Sequence, residues 1–541
     1  MKQVTIEDLV NDFKQIIDRY KKNNGDEANI RYLSRDYYRH YSKYTDRDWA
    51  QFFHSFKEFR AKMLELLNIT ISEIEGITRD NISSVLDLRG KARKRYFVTA
   101  VIAGATVNLP FLTSIHTYCS TFGAQLIILP MRGIYKKDEI FDEVLNEYLE
   151  SMHVNVIFNN RLQAFDFRLS PRQINPLTSL ARYGKKSTSL IIASPKQQML
   201  TVPTSNVEVS HVLYSTGVLT LPNYKDTRID VLARQDHVCG GLIVEIENDT
   251  DFYIRTVRCD AKGGFYDLDT YYCGNKTYTK PISAFIMGDL HCGFEDLQAI
   301  KAWKDCIRAL KPKYVVLHDI IDCASINHHE EGNLYYNLQL PPNLKTLRGE
   351  LNTVGKFLQN LCTEFSDIQF IITKGNHDMW LDDFLAYGKY AHIEHKENHL
   401  LSLNLAKVLL LGKNPLKEYL TTNFDLKNTI WLECDESFKL HNIQLGVHGS
   451  HGNNGGRASL IALETSYGPG IYGHTHSPGM LRDIMTVGTS TKLRLFYNRK
   501  GGSSWLHASA ILYSNGARTL IIPNNGRWKL TTKKINKKLI K

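Results

Sequence analysis

The sequence lacks an uninterrupted apolar run of the roughly 18 residues that a membrane-spanning helix needs. The nearest candidate, residues 96–112, is interrupted by Thr99, Thr106, Asn108 and Pro110. The first residues, MKQVTIEDLVNDFK, are charged and include no apolar signal region, which argues against secretion. We therefore expect a cytoplasmic protein with no membrane partner.

Cysteine is scarce and scattered along the chain. The nine cysteines are an odd number and nowhere form a Cys-x-x-Cys pair. This pattern excludes a disulfide framework and a metal site built on paired cysteines. Free thiols in a reducing cytosol are the simplest interpretation.

Positive charge exceeds negative charge, with 67 lysines and arginines against 56 aspartates and glutamates, a net charge of +11. Such an excess permits a polyanionic partner without requiring one. The last 15 residues, 527–541, contain seven basic residues and no acidic one. This segment is either a solvated basic tail or a contact to a phosphate backbone.

The 541 residues predict several domains. Residues 1–90 show helical periodicity, with apolar stripes at 6–20 and 49–63. Residues 91–280 contain short β-branched runs bounded by glycine or proline, which predict a mixed α/β to β-rich domain. Residues 281–526 alternate strands and helices, and residues 527–541 are the basic tail.

Each of five apolar strand candidates within residues 281–526 runs into a cluster of His, Asp or Asn. They are SAFIMGDLHCG (283–293), KYVVLHDIID (313–322), IQFIITKGNHD (368–378), IQLGVHGSHG (443–452) and GIYGHTH (470–476). Amphipathic helices are predicted between them, from Leu297 to Leu310 and from Leu344 to Leu361. Because α/β proteins build their sites at strand ends, we expect these polar loops to meet.

The side chains in these loops are suited to binding metal ions. The candidate ligands are two carboxylates, one amide and four imidazoles: Asp289, Asp319, Asn376, His291, His448, His474 and His476. Carboxylate with imidazole suits Mn²⁺, Fe or Zn²⁺, and the two oxygens of Asp319 can bridge two ions. Any one of these histidines alone is more often an ordinary core or surface residue, but five clusters at five strand ends favour a binuclear centre. Two such ions can clamp a phosphoryl group for attack by a hydroxide.

This ordered set of motifs resembles the calcineurin-like metallophosphoesterase superfamily, whose pattern is D-x-H, G-D, G-N-H-[DE], a lone His and G-H-x-H. The chain carries Asp289-Leu290-His291, His318-Asp319, Gly375-Asn376-His377-Asp378, His448 and Gly473-His474-Thr475-His476. The resemblance implies an α/β fold, in which a two-sheet sandwich is flanked by helices.

The resemblance also assigns roles by matching positions. It implies one metal held by Asp289, His291, Asp319 and His476, and a second held by Asp319, Asn376, His448 and His474. His377 would contact the scissile phosphate and help the leaving oxygen to depart, and the neighbouring Asp378 could orient it.

The chain departs from the family pattern at His318, which replaces the glycine before the bridging aspartate. We expect this side chain either to point away from the site or to contact a phosphate. The D-x-x-D-R-G extension of protein Ser/Thr phosphatases is absent after Asp319, which lowers the expectation of a protein phosphatase. His328 and His329 lie just beyond this loop and are either a polar surface or substrate contacts.

Residues 33–63 are similar to short helical repeats that accompany phage and homing endonucleases. Basic residues, including Arg35, Arg39 and Arg47, alternate there with aromatic ones, so these three arginines are candidate DNA contacts. The layout of the whole chain looks like that of large phage metallophosphoesterases.

The predicted function is therefore a two-metal-dependent phosphodiesterase that degrades DNA. Alternatives are a small-molecule phosphatase or cyclic-nucleotide phosphodiesterase, and a non-catalytic nucleic-acid-binding or assembly protein. The expected cofactor is a pair of divalent ions, first Mn²⁺, with Fe, Zn²⁺ and Mg²⁺ as alternatives. DNA is the expected partner, and the sequence leaves open whether the protein forms a homo-oligomer. The expected compartment is the cytoplasm, which for a phage protein is the cytoplasm of the host cell.

Overall fold

The computed structural model describes residues 4–24, 33, 35–67, 77–135, 140–183, 187–205, 210–392, 396–434 and 436–530. The chain divides into two compact units. The first contains residues 1–78 and 140–149, and the second contains residues 79–139 and 150–541. No helix among the described residues is long and apolar enough to cross a membrane.

The first unit is helical around an aromatic core. Its helices are α1 Ile6–Asn24, α2 Arg35–Tyr41, α3 Asp46–Trp49 and α4 Phe56–Leu66. Leu9, Phe13, Ile16 and Ile17 on the periodic face of α1 are buried, and the Phe13 ring meets the Phe59 ring edge-on at 5.5 Å. Trp49 stacks on Phe59 at 5.6 Å, so the second predicted stripe folds as two helices that close on one core.

The second unit carries the described strands, which form four sheets. The helices of this unit are α5 Leu109–Phe122, α6 Arg228–Gln235, α7 Leu297–Leu310, α8 Leu334–Gln339, α9 Leu347–Glu364, α10 Asn376–Ala386, α11 Lys396–Leu410, α12 Pro415–Asn423 and α13 Leu460–Tyr467. The largest sheet has eleven strands in the order β1 Ser83–Asp87, β4 His153–Asn159, β5 Leu162–Phe165, β6 Ser189–Ile192, β8 His211–Ser215, β7 Gln198–Val202, β21 Gly479–Leu481, β22 Ile484–Thr486, β20 Gly470–Tyr472, β19 Ile443–Gln444 and β18 Lys439–Leu440. The six-stranded sheet has the order β17 Thr429–Leu432, β16 Gln369–Thr373, β15 Tyr314–His318, β14 Ala284–Ile286, β23 Ser509–Leu512 and β24 Arg518–Ile521. The four-stranded sheet has the order β10 Phe252–Arg258, β9 Gly240–Ile246, β2 Arg95–Ile102 and β3 Gln125–Met131. The three-stranded sheet has the order β11 Phe265–Asp267, β12 Thr270–Cys273 and β13 Lys276–Thr279.

The six-stranded sheet is buried on both faces. One face packs with the eleven-stranded sheet, where Ile286 and Val316 share a core with Ile471 and Met485. The other face packs with helices, and Trp303 of α7 is fully buried there. Strands buried on both faces read as near-continuous apolar runs, which is why these segments were recognisable in the sequence. The predicted fold class, a two-sheet sandwich flanked by helices, is confirmed.

The eleven-stranded sheet joins the middle of the chain to its C-terminal part. Strand β7 pairs antiparallel with β21, with Met199 opposite Met480. Residues on either side of position 280 therefore share one sheet, and the division into units makes no break there. The sequence predicted a boundary at position 90, whereas the two units divide between residues 78 and 79. Strand β1, which lies within the segment predicted to be helical, belongs to the eleven-stranded sheet of the second unit. Residues 531–541 of the predicted basic tail lie outside the described residues.

Register brings the predicted loops to one edge. Strands β14, β15 and β16 are parallel, and Val316 pairs with both Ile286 and Ile371. The carboxyl ends of the three strands are therefore level, and their loops leave the sheet side by side. Helices α7 and α9 cover the predicted helical segments, although Leu344 precedes α9 and Leu297 is 81% exposed.

Candidate metal centre

The candidate ligands lie in loops at the ends of strands from two sheets. Two loops and the first residue of a helix follow strands of the six-stranded sheet, and two further loops follow strands of the eleven-stranded sheet. Asp289 and His291 follow β14, Asp319 directly follows β15, and Asn376 is the first residue of α10. His448 follows β19, and His474 and His476 follow β20. Five of the seven predicted ligands fall into two groups, Asp289–His291–His476 and Asp289–Asp319–His448, whose ligand atoms lie within 4.8 Å of one another. The other two, Asn376 and His474, are in contact with each other, and Asn376 also contacts His448.

The first ligand set surrounds His476. The Nε2 atom of His476 lies 3.0 Å from Nε2 of His291 and 3.1 Å from Oδ2 of Asp289. Nε2 of His291 also lies 3.7 Å from Oδ2 of Asp319. These are the four residues that the resemblance assigns to one metal.

The second ligand set surrounds Asn376. Its Oδ1 atom lies 2.8 Å from Nδ1 of His474 and 3.2 Å from Nε2 of His448. Nε2 of His448 lies 3.3 Å from Oδ2 of Asp319. Asp319 therefore faces both sets through the same carboxylate, which is the position of a bridging ligand.

Backbone geometry turns these side chains inward at a cost. His291, Asp319, His474 and His476 have φ values of 41°, 46°, 70° and 55°. Non-glycine residues rarely adopt this left-handed region, and each costs of order 1–3 kcal/mol when held there. Strain of this kind concentrates at functional sites.

Two glycines allow the loops to approach each other. A Cβ atom on Gly375 would overlap the carboxylate of Asp319, and one on Gly473 would overlap the carboxylate of Asp289. Both carboxylates are also held by backbone donors. The N–H of His377 donates to Asp319 Oδ1 at 3.0 Å, and the N–H of His474 donates to Asp289 Oδ2 at 2.8 Å.

The buried carboxylates of the centre are held ionised by the imidazoles around them. Burial alone would raise the pKa of the Asp319 carboxyl, but His448 and His377 hold it well below its ordinary value. Burial alone would lower the pKa of His448, but Asp319 and Asp289 raise it to about 9. Oδ1 of Asp289 is buried with no hydrogen-bond partner among the described residues. An unpaired buried carboxylate oxygen among converging imidazoles fits a divalent cation, so this donor set suits the implied metals.

Asp322 orients the residues around the centre, and sequence reasoning missed this role. Its Oδ1 atom lies 3.0 Å from Nδ1 of His291, the ring nitrogen opposite the one that faces the metal set. Its backbone carbonyl accepts a hydrogen bond from Nδ1 of His377 at 2.8 Å. One residue thus contacts both a predicted metal-ligand histidine and the predicted catalytic histidine. The signal was visible in the spacing, three residues after Asp319.

Asp378 was predicted to orient His377, and the structure differs. The carboxylate of Asp378 accepts from the N–H of Gly375 at 2.7 Å and from the N–H of Ile321 at 3.2 Å. Burial and the charge of Asp319 raise its pKa to about 7. It therefore ties together the two loops that follow β15 and β16, because its position at the start of α10 points it at their backbone rather than at the neighbouring ring.

His318 lies beneath the metal loops. Its side chain is 0% exposed, and its ring centroid is 5.5 Å from that of His448. Burial and His448 lower its pKa to about 4, so the ring is neutral at physiological pH. Of the two sequence alternatives, this placement favours a side chain that points away from a substrate at the surface.

His328 and His329 are exposed and lie near the predicted catalytic histidine. Their ring centroids are 5.1 and 5.4 Å from that of Trp380. Trp380 in turn stacks on His377 at 3.9 Å with an interplanar angle of 30°. Trp380 was not predicted; it lies three residues after His377 on α10, which brings the two rings onto one face of the helix.

The predicted DNA-contacting arginines belong to the first unit, whereas all metal-centre residues belong to the second. Arg39 forms an ion pair with Asp46, and its side chain is 47% exposed. Arg47 is exposed on α3. Arg35 begins α2, and its side chain lies outside the described part of the structure.

Comparison with known proteins agrees with this geometry. Residues 283–478 match the calcineurin-like phosphoesterase family, and this span holds all seven ligands together with His377. The chain therefore carries a calcineurin-like phosphoesterase domain, whose chemistry is metal-dependent hydrolysis of phosphoesters. The identity of the family predicted from the motifs is confirmed.

Similarity to a phage protein extends over most of the chain. The chain is 29% identical over 522 residues to Protein A1 of Escherichia phage T5. The match covers 89% of this chain and 90% of that protein. A crystal structure of Chaetomium thermophilum Vps29 is also similar, with 13% identity, a TM-score of 0.22, and coverage of 35% of this chain and 99% of that chain.

Proposed function

We propose that this protein is a two-metal-dependent phosphodiesterase that degrades DNA. The observation that supports the proposal is the convergence of the seven candidate ligands into two sets that share Asp319. Phosphodiester hydrolysis is one of the reactions that paired divalent ions support, and Mn²⁺ is the metal that we expect. DNA is proposed as the substrate because the chain has a net charge of +11 and basic residues clustered outside the metal loops.

The chain's own residues divide the work of this reaction. Asp289, His291, Asp319 and His476 would hold one ion, and Asp319, Asn376, His448 and His474 would hold the other. When bound, the two ions polarise the phosphodiester and activate water for attack. The carbonyl of Asp322 accepts a hydrogen bond from Nδ1 of His377, so Nε2 is the nitrogen that would act on the leaving oxygen. The doubly protonated ring would donate its Nε2 proton to that oxygen and return to the neutral form with its proton on Nδ1.

The setting follows from the phage relative. A phage enzyme that degrades DNA acts in the cytoplasm of the host, and we propose that location for this chain. DNA is its proposed partner, no membrane is involved, and a homo-oligomer is compatible with the proposal.

The proposal is tested by comparing substrates. Purified protein with Mn²⁺ is incubated with plasmid DNA, single-stranded DNA, RNA and bis-p-nitrophenyl phosphate. We expect cleavage of DNA, and loss of all activity together with both metal ions in Asp319→Ala. Asp305→Ala removes a 43% exposed carboxylate from α7 and is the matched control.

Three outcomes would contradict the proposal. Hydrolysis of the small diester without any cleavage of DNA would favour a small-molecule phosphatase or cyclic-nucleotide phosphodiesterase. Binding of DNA with no hydrolysis of any ester would favour a non-catalytic binding or assembly protein. A metal content of one ion per chain that Asp319→Ala leaves unchanged would refute the shared-ligand centre.

A further inference from the structure

A basic groove lies outside the metal centre, in a part of the chain where the sequence offered no candidate site. The groove is open and has a volume of 680 Å³. Its lining includes Leu86, Lys91, Arg93, Lys94, Arg95, Phe122 and Leu530. These include four cations and no carboxylate, and none of them is a metal-centre residue.

Two arginines near the groove are already neutralised. Arg95 is buried and donates to Oε1 of Glu245 at 2.9 Å, and its guanidinium lies 4.7 Å from the centroid of the Phe122 ring. Arg89, just outside the lining, pairs with Asp87. These two arginines therefore hold the walls of the groove and contribute little to its net field.

The remaining cations lack such partners. Lys91, Arg93 and Lys94 are exposed, and none of them forms a salt bridge within the described residues. One cation is expected at the C-terminal end of α5, where the helix dipole is negative, and Arg95 beside Phe122 already fills that role. Three further exposed cations on one four-residue stretch repel one another, so an anionic partner is the simplest reason for their arrangement.

The apolar surface of the groove indicates what kind of polyanion it suits. Phe122 is 37% exposed at the end of α5, and Leu86 is partly exposed beside it. A double helix keeps its bases stacked inside, whereas a single strand offers both phosphates for cations and free base faces for an aromatic ring. Cations next to an exposed aromatic ring are the combination that sequence-independent single-strand binding uses.

We propose that this groove binds the backbone of single-stranded DNA through Lys91, Arg93 and Lys94, with a base stacked on Phe122. The inference rests on the proposed function, because it supplies a grip on the substrate of that activity. The grip is separate from the metal centre, so it sets how the DNA is held rather than how it is cut.

The expected effect follows from counterion release. Each phosphate contact to single-stranded DNA contributes about 0.7 to the slope of log affinity against log salt. Changing Lys91, Arg93 and Lys94 together to alanine should therefore lower that slope by about 2. The same relation predicts an affinity loss of about 100-fold at 0.1 M salt and about 10-fold at 0.3 M salt.

The experiment measures the fluorescence anisotropy of a labelled phosphorothioate oligodeoxythymidylate, which resists cleavage, across a salt series. The triple variant Lys91→Ala, Arg93→Ala, Lys94→Ala is compared with wild type and with a control, Lys301→Ala, Lys407→Ala, Lys417→Ala. The control removes the same charge from exposed helix positions that do not line the groove. A variant that keeps the charges, Lys91→Arg, Arg93→Lys, Lys94→Arg, should bind as wild type does. Phe122→Ala should weaken binding without changing the salt slope, because stacking releases no counterions.

The outcomes separate the groove from the enzyme. Equal binding by the triple variant and wild type would overturn the groove, as would an equal loss in the triple variant and its control. Wild-type protein that fails to bind the oligonucleotide would also overturn it. Cleavage of DNA by wild type with Mn²⁺ is measured separately, so the nuclease proposal stands or falls on its own result. If the triple variant unfolds at a lower temperature than wild type, the binding measurements on Phe122→Ala and on the charge-keeping variant decide the proposal instead.

Discussion

Asp322 should control metal affinity through His291. Its carboxylate is 1% exposed and its Oδ1 lies 3.0 Å from Nδ1 of His291, so the two groups form a close ion pair shielded from water. Burial alone would lower the pKa of His291, but Asp322 and the charge of Asp319 raise it to about 9. The carboxylate therefore makes the ring a stronger electron donor towards a cation at Nε2.

The size of the effect depends on what replaces the carboxylate. Loss of a partner that orients a metal-ligand histidine costs about 10- to 100-fold in metal affinity, or roughly 1.4–2.7 kcal/mol. Asp322→Asn keeps a hydrogen-bond acceptor but removes the charge, so we expect metal affinity to fall about 10-fold. Asp322→Ala leaves Nδ1 of His291 unpaired, so we expect metal affinity to fall about 100-fold. Both variants keep the backbone carbonyl that His377 uses.

The assay is calorimetric titration of Mn²⁺ into metal-free protein, with turnover of bis-p-nitrophenyl phosphate measured over the same Mn²⁺ range. Saturating Mn²⁺ should restore most of the turnover of Asp322→Asn. Asp305→Asn, on the exposed face of α7, is the control and should change neither quantity. The reasoning is refuted if Asp322→Asn binds Mn²⁺ like wild type while its turnover falls at saturating Mn²⁺, because Asp322 would then act through His377 instead.

Three other predictions follow from the structure. His377→Ala should retain both metal ions in elemental analysis and lose turnover by about 10²–10⁴, the usual worth of acid–base assistance; loss of metal would make it a ligand. Glu245→Gln should lower the free energy of unfolding by about 3–5 kcal/mol in urea titrations, because Glu245 is buried between Arg95 and Arg255. Burial alone would raise the pKa of Glu245, but Arg255 lowers it to about 2. The stabilisation by ionised Glu245 is therefore present above about pH 4.5 and is lost as the pH falls towards 2. An unchanged urea midpoint of Glu245→Gln at pH 7 would contradict this prediction. Changing Arg35, Arg39 and Arg47 together to alanine should weaken DNA cleavage and lower the salt slope by about 0.9 for each lost contact to duplex DNA, while small-diester hydrolysis survives; a parallel loss of both activities would make these residues structural.

The convergence of the candidate ligands could be predicted from the sequence because its signals are local. Each ligand lies within a few residues of a strand end, and the strands are apolar runs buried on both faces. Residue type and strand-end position together identified Asp289, Asp319 and His448 without knowledge of sheet order. Local periodicity likewise located α7 and α1, whose buried faces follow the helical repeat.

Roles that depend on side-chain direction could not be predicted in this way. Asp378 is the neighbour of His377 in sequence, yet the start of α10 turns its carboxylate to the backbone of Gly375 and Ile321. Asp322 lies far from His377 in sequence, and the carbonyl that accepts from His377 reaches it only because β15 and β16 are adjacent.

The sequence by itself determined which oxygen and nitrogen donors stand at the strand ends, and the fold class that presents them. The tertiary structure alone decided which groups act on one another. The basic stretch of residues 91–95 becomes a groove only where Phe122 and Leu530 complete its walls, and β7 becomes part of the catalytic sandwich only by pairing with β21. The physical reason is range, because ligand type and periodicity are properties of short segments, whereas burial, pairing and net field arise from segments that meet only after folding.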